Sequence, residues 1–409
     1  MTNEQAIKLD SEYMVQSYGR HPVAISHGSG ASMYSLDGKK YIDFTSGIGV
    51  NCLGYADPDW LSAVSAQLGE VAHMSNYFVS PKTAILAQRL VELSSMKRVF
   101  MSNSGAEANE GAIKTARKYS RDKYGEGRST IITLINSFHG RTVTTLAATG
   151  QDSFHKDFGP FTEGFKYSSL NDIEALKAAA TSDVCAVMAE VVQGEGGVFP
   201  MTAEFAAALR SLCADRDILL IFDEVQCGIG RTGKMFAWQH FDSVKPDIMT
   251  LAKGLGGGLP IGAFIVGEKC EFTISKGQHG STFGGNPVVA AGSNAVLDKV
   301  SSPGFLDEVA EKGRYIADAI KSMNIPYLKE VRGLGMMIGA ELVSPSEGGA
   351  AAGAFAGLAL QKGLLLLTAG SNTVRLLPPL TISMAEIEEG LAIFKETANK
   401  INADAERII

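Results

Sequence analysis

Ile218–Gln226 reads ILLIFDEVQ, and Asp247–Lys253 reads DIMTLAK. Each is an apolar run of strand length that stops on ionisable residues, Asp223 and Glu224 in the first and Lys253 in the second. An apolar run without alternation marks a strand covered on both faces, as in a parallel sheet layered between helices. Working outward, RVFM from Arg98, TIITLI from Thr130, VCAVMAEVV from Val184 and GAFIV from Gly262 repeat the pattern. Most are separated by helix-period segments such as AEFAAALRSLCADR. The expectation is an α/β fold whose large domain, residues 51–300, carries a mostly parallel, doubly wound sheet. On its N-terminal side, MYSLDGKKYIDF (Met33–Phe44) has a turn signal at Asp37–Gly38 and predicts a hairpin, within a 1–50 segment that packs with a smaller domain. After Pro303 come the amphipathic FLDEVAEKGRYIADAIKSM, the strand-like VRGLGMMIGAEL and TVRLLPPL, and a last helix opened by a capping-box pattern from Ser383 to Glu386. Residues 301–409 are therefore read as a small α+β domain, with SEGGAAAGAFAGLALQK as a loop entering a helix.

Composition narrows the function. With 409 residues, 45% hydrophobic and 20% charged, the chain is globular, and a net charge of −7 argues against nucleic-acid binding. Five scattered cysteines without a CxxC pair indicate neither a disulfide framework nor zinc, and no HExxH or HxH pattern supports a metal site. MTNEQAIKLDSEYM lacks a secretory apolar region, and no apolar run reaches membrane-spanning length. A cytoplasmic protein without membrane contact is expected.

Ligands of open parallel sheets bind beyond the carboxyl ends of the strands. An acid placed there is costly to bury unless it meets a cation, which makes Asp223 a candidate, although a structural ion pair or helix cap is the commoner role. Lys253 sits at a second strand end, followed by glycines that let backbone approach it closely. RVFMSNSGAEANEGAIK supplies a strand, a small-residue turn and a helix start, so Gly105 and Ala106 could offer free amides to a phosphate; Ser104 to Glu107 also reads as a simple capping box. Phosphate cradle, buried carboxylate and partly desolvated lysine together are what pyridoxal phosphate needs: the lysine condenses with its aldehyde and moves protons, and the carboxylate keeps its ring nitrogen protonated.

The stretches SNSGAEANE, SFHGRT, QGEGGV, FDEVQ, GRTGKMFA, PDIMTLAKGLGGGLPIGA, HGSTFGGNP and VRLLPPLTI, in this order and spacing, resemble the class III pyridoxal-phosphate aminotransferases over nearly the whole chain. Within that family the acetylornithine aminotransferases are the most similar group. The resemblance implies the aspartate-aminotransferase-like fold (fold type I), a homodimer and active sites shared between subunits. It makes Lys253 and Asp223 the catalytic residues and implies that Phe138 and Val225 sandwich the cofactor ring, with Gln226 near the ring hydroxyl. Gly105 and Ala106 would bind the phosphate, joined by Thr282 from the neighbouring subunit, with Ser281 near the substrate. Arg141 is similar to the arginine that grips the carboxylate far from the reacting amine, and Arg375 to the one that holds an α-carboxylate beside it. Glu195 resembles a gate that pairs with Arg375 while an ω-amine is bound. His139 is left as a support residue. The implied reaction transfers the terminal amine of N-acetylornithine to 2-oxoglutarate in arginine synthesis, with ornithine, 4-aminobutyrate and N-succinylornithine as alternative donors. Where ornithine aminotransferases carry a tyrosine, DFTSGIGVN is one residue shorter and has Ile48, which weakens free ornithine. A competing reading takes GIGRTG (Gly228–Gly233) as a nicotinamide-dehydrogenase fingerprint, but DEVQC separates it from the strand and it lies mid-chain.

Overall fold

The computed structural model describes residues 1–406. Its large sheet has seven strands. In chain order these are β1 (Arg98–Ser102), β2 (Thr130–Leu134), β3 (Phe165–Ser168), β4 (Val184–Ala189), β5 (Leu219–Asp223), β6 (Ile248–Leu251) and β7 (Gly262–Val266). They lie in the order β1-β7-β6-β5-β4-β2-β3. β6, β5, β4, β2 and β3 run parallel, and β7 is antiparallel to both β6 and β1. Every residue of β2, β4, β5, β6 and β7 is buried, the physical reason their sequences read as unbroken apolar runs. β3 is an edge strand with mixed burial, and its short FKYS carries neither pattern, so the sequence reading passes over it. The register pairs Asp223 with Thr250, which sets Lys253 three residues past its neighbour's last carboxylate.

The predicted hairpin forms: Ser32–Ser35 pairs antiparallel with Lys40–Asp43, and Gly38 takes the turn at φ 83°. Lys40–Asp43 then pairs in parallel with Leu364–Leu365, so the N-terminal segment shares a sheet with the C-terminal part of the chain. The last helix, Met384–Glu406, opens on the predicted cap: Ser383 Oγ accepts from Glu386 N at 3.2 Å, and Ser383 N donates back to the Glu386 carboxylate at 3.0 Å. That carboxylate also accepts from Ala31 N at 3.0 Å, tying the N-terminal hairpin to the helix start. VRGLGMMIGAEL is not one strand but part of a hairpin, Leu328–Leu334 against Met337–Leu342, because Gly335 (φ 53°) reverses the chain. A Cβ there would meet the Thr232 carbonyl carbon at 2.4 Å, so this turn must be glycine. Thr373–Leu376 adds to the same sheet and places Arg375 in its middle. Among the described residues no helix is long and apolar enough to cross a membrane, and no cluster of candidate metal ligands occurs.

Candidate active site

A cavity of about 430 Å³ opens where β1, β2, β4, β5 and β6 end; Asp223 lines it from the last position of β5, and Gly105, Phe138, Glu190 and Lys253 line it from the segments that follow the other four strands. Asp223, 3% exposed, is fully engaged. Its Oδ2 accepts from Asn109 Nδ2 and from His139 Nδ1, both at 2.8 Å, and its Oδ1 accepts from Val225 N at 3.0 Å. Three donors fix the position and orientation of this carboxylate. His139 donates from Nδ1 in that contact, and its Nε2 is buried with no hydrogen-bond partner among the described residues. Glu224, the other acid of the run, does the commoner job: its oxygens accept from Ala237 N and Trp238 N at 2.8 Å each, capping a short turn, and burial pushes its carboxyl up to about 7.

Lys253 heads the 3₁₀ turn Lys253–Gly256 with φ 41°, a left-handed conformation that costs a lysine about 1 kcal/mol and persists only when neighbours enforce it. Cys52 Sγ donates to Gly254 O at 3.1 Å and Trp60 Nε1 to Gly256 O at 3.1 Å, holding the turn. Burial lowers the pKa of the Lys253 ammonium, and Arg375 adds to this; Glu195 and Asp223 oppose it without reversing the direction. The lysine is thereby brought toward its nucleophilic neutral form.

The helix Gly105–Tyr124 begins at the cavity wall. Ser104 is its N-cap, accepting from Glu107 N at 3.2 Å, while the Glu107 carboxylate takes Asn103 N at 2.6 Å; a helix N-terminus can offer its first amides to an anion as well as a cap. Gly105 is obligatory for a physical reason: a Cβ would lie 2.7 Å from Val225 Cγ1. Gly140 lies as close, its added Cβ meeting Ala106 at 2.9 Å. Phe138 and Val225 both line the cavity.

At the Glu195 side, Arg375, 2% exposed, donates from Nη1 to Glu195 Oε1 at 2.6 Å and to Gln226 Oε1 at 3.1 Å. Gln226 Nε2 donates to the same Glu195 oxygen at 3.4 Å. Glu195 and Gln226 line the cavity, whereas Arg375 reaches it through them and keeps a buried Nε without a partner. Burial raises the Glu195 carboxyl, but the Arg375 charge and hydrogen bond outweigh it and hold the group below its ordinary range. Arg141, exposed at the cavity, lies over two aromatic rings, Phe154 at 4.0 Å and Phe138 at 5.5 Å.

Ser281 and Thr282 do not line this chain's cavity. Ser281 Oγ accepts from Asn103 Nδ2 at 3.0 Å, and Thr282 is exposed. Three residues of the Asp223 surroundings escape the sequence reading as site members. His139 stands beside Phe138 in SFHGRT, Asn109 lies one turn past Gly105 in the same helix, and Glu190 ends VCAVMAE as Asp223 ends ILLIFD. The rule that singles out Asp223, an acid at the end of a buried strand, points equally to Glu190. Its oxygens accept from Phe138 N at 3.0 Å and Gly194 N at 3.3 Å, and burial raises its pKa to about 7. The GIGRTG segment is a structural turn: Arg231 is buried and donates to Met336 O at 3.1 Å and Pro378 O at 2.5 Å, and the next element is only the short 3₁₀ turn Ala237–His240. All five cysteines are buried and free, as their scatter suggests.

A strand-end lysine of lowered pKa, a buried carboxylate at the adjoining strand end and a helix N-terminus whose first residue admits no Cβ fit one group: a flat, phosphate-bearing ring with an aldehyde and a basic nitrogen. Fold and site define a pyridoxal-phosphate enzyme of fold type I. The class-III aminotransferase family matches residues 13–398, and the chain belongs to that family. An acetylornithine aminotransferase of Haemophilus ducreyi is 53% identical over 98% of this chain and 100% of its own length. Among solved structures, the N-acetylornithine aminotransferase of Stenotrophomonas maltophilia is 38% identical with a TM-score of 0.84, covering 97% of this chain and 100% of that one. The ornithine aminotransferase of Toxoplasma gondii is 29% identical with a TM-score of 0.94, covering 99% of this chain and 96% of that one.

Proposed function

We propose that this enzyme moves the terminal amino group of N-acetylornithine to 2-oxoglutarate, giving N-acetylglutamate 5-semialdehyde and glutamate, and that it serves arginine biosynthesis in the cytoplasm. The observation that carries the reading is the Glu195–Arg375 pair, a buried arginine and a half-buried glutamate, whose carboxylate lines the same cavity as Lys253. It neutralises an arginine that would otherwise face the apolar terminal carbon of an ω-amine, and it leaves that arginine ready for the α-carboxylate of glutamate. The names of the relatives agree with this donor.

Bound pyridoxal phosphate supplies an aldehyde for the donor amine and a conjugated ring that accepts electrons from the substrate carbon. The residues of the chain do the rest. Lys253 Nζ would hold the cofactor's aldehyde and would serve as the base that moves a proton at the donor's terminal carbon. Asp223 keeps the ring nitrogen protonated, and His139 and Asn109 fix the carboxylate in place. Phe138 and Val225 would hold the ring, Gln226 would serve its hydroxyl, and the amides of Gly105 and Ala106 would bind the phosphate; all five line the cavity. Arg141 would take the carboxylate far from the reacting amine, and Ser281, which lies outside this chain's cavity beside Thr282, would serve the substrate in the partner's site.

The working unit we infer is a homodimer in which Thr282 completes the partner's phosphate site. Tyr77, Phe78 and Val79 are 95%, 68% and 83% exposed, and Asn76 Nδ2 donates to Ser281 O at 2.9 Å, so an uncovered apolar patch adjoins Thr282. Initial rates with N-acetylornithine, ornithine, N-succinylornithine and 4-aminobutyrate, each with 2-oxoglutarate, test the assignment. N-acetylornithine is expected to give the highest kcat/KM, and a clear preference for another donor would displace it.

A further inference from the structure

Arg141 stands at the cavity with, among the described residues, no carboxylate paired to it and no hydrogen bond from its guanidinium; what holds it is aromatic. Its guanidinium carbon lies 4.0 Å from the centroid of Phe154, and Phe154 meets Phe138 edge-on at 5.9 Å with an interplanar angle of 79°. The Phe154 turn is in turn anchored to the Phe138 segment. Phe154 N donates to Gln151 O at 3.0 Å, Gln151 Nε2 to Ser137 O at 3.0 Å, and Gly150 N to Ser137 Oγ at 3.1 Å.

From this geometry we propose that Phe154 is a positioning residue for substrate specificity: it holds the Arg141 guanidinium by its face and leaves the N–H edge free for the substrate's distal carboxylate. A carboxylate partner would occupy those donors, whereas a ring face orients the cation without consuming one of them. Because Phe154 also abuts Phe138, the arginine keeps a fixed distance from the ring-binding wall. The proposal rests on the reading of Arg141 as the distal-carboxylate arginine, and the experiment separates the two.

The donor pair is N-acetylornithine and N-acetyl-1,4-diaminobutane, the same amine without the α-carboxylate. In the holoenzyme, Phe154→Leu keeps the bulk and removes the ring face. We expect KM for N-acetylornithine to rise about fivefold with kcat retained, KM for N-acetyl-1,4-diaminobutane to stay unchanged, and Phe154→Tyr to restore the native KM. Equilibrium binding of glutarate, a dicarboxylate that cannot react, should weaken in Phe154→Leu by a similar factor. Arg141→Gln should raise KM only for the carboxylate donor, and adding Phe154→Leu to it should cost nothing more. If Arg141→Gln affects both donors equally, the reading of Arg141 itself fails and the proposal falls with it. If Arg141→Gln behaves as expected but Phe154→Leu leaves KM and glutarate binding at native values, or penalises both donors alike, Phe154 is ordinary packing and the proposal alone is overturned.

Discussion

Glu195→Ala tests how one cavity accepts both an ω-amine and glutamate. In the native chain, the Arg375 guanidinium is covered by a 2.6 Å charged hydrogen bond to Glu195 and a weaker one to Gln226 at 3.1 Å. On the proposed gate, this pair stays closed when N-acetylornithine is bound. With glutamate bound, the proposal has it open so that the α-carboxylate can take the arginine. A charged hydrogen bond contributes about 1.5–3 kcal/mol. The Glu195 side chain is 25% exposed, which screens the pair, so about 1.5–2 kcal/mol is the appropriate share. Removing the carboxylate relieves glutamate of that cost and leaves an uncompensated buried arginine facing the ω-amine. The ratio of single-turnover efficiencies, glutamate over N-acetylornithine, should therefore rise roughly ten- to thirtyfold. Because the folded-state pKa of Glu195 is depressed, the pair is fully formed above the ordinary carboxylate range and is lost only as pH falls through that depressed value. The native ratio should accordingly stay flat between pH 6 and 8. Stopped-flow absorbance of the cofactor, with each amine supplied alone, measures both half-reactions. Equal slowing of the two would refute the gate and return Glu195 to a structural role.

Lys253→Ala should abolish multiple turnover while the cofactor remains bound through Asp223 and the helix N-terminus; near-native turnover would dismiss the lysine. Asp223→Asn should fold normally, as judged by its denaturation midpoint, and lose most activity, since an amide holds a ring-nitrogen proton poorly; unchanged kcat would return Asp223 to a purely structural part. Burial raises the folded pKa of Glu224 to about 7 against an ordinary 4.5, so between these values the folded state binds more protons than the unfolded state, and stability increases as pH falls from 7 toward 4.5. Between pH 7.5 and 5.5, denaturant unfolding should show Glu224→Gln lacking up to about 2 kcal/mol of the native chain's gain; parallel curves would contradict this. Mixing inactive Lys253→Ala and Thr282→Val subunits should restore part of the activity through hybrid dimers, and a fully active monomer in sedimentation would exclude the shared site.

Much of this protein is legible without coordinates wherever one chemical pattern has one physical explanation. Unbroken apolar runs such as ILLIF and IMTL can satisfy their side chains only in a sheet covered on both faces, and a charge at the end of such a run must find a partner, so the sheet and the candidacy of Asp223 and Lys253 follow from chain-local chemistry. The Asp37–Gly38 turn and the Ser383–Glu386 cap are local in the same sense, since their partners lie within a few residues. Other features depend on residues far apart in the chain. Asp223 and Glu224 are neighbours with the same functional group, and only packing decides that one meets His139 from 84 residues away while the other caps the turn at Ala237. The antiparallel placement of β7, the edge strand β3 and the split of VRGLGMMIGAEL at Gly335 likewise depend on which strand or loop arrives alongside. The pairing of Glu195 with Arg375 spans 180 residues; the family resemblance implies it, but the residues around either side chain do not, because a salt bridge is a property of two positions in space that chain-local chemistry does not bring together.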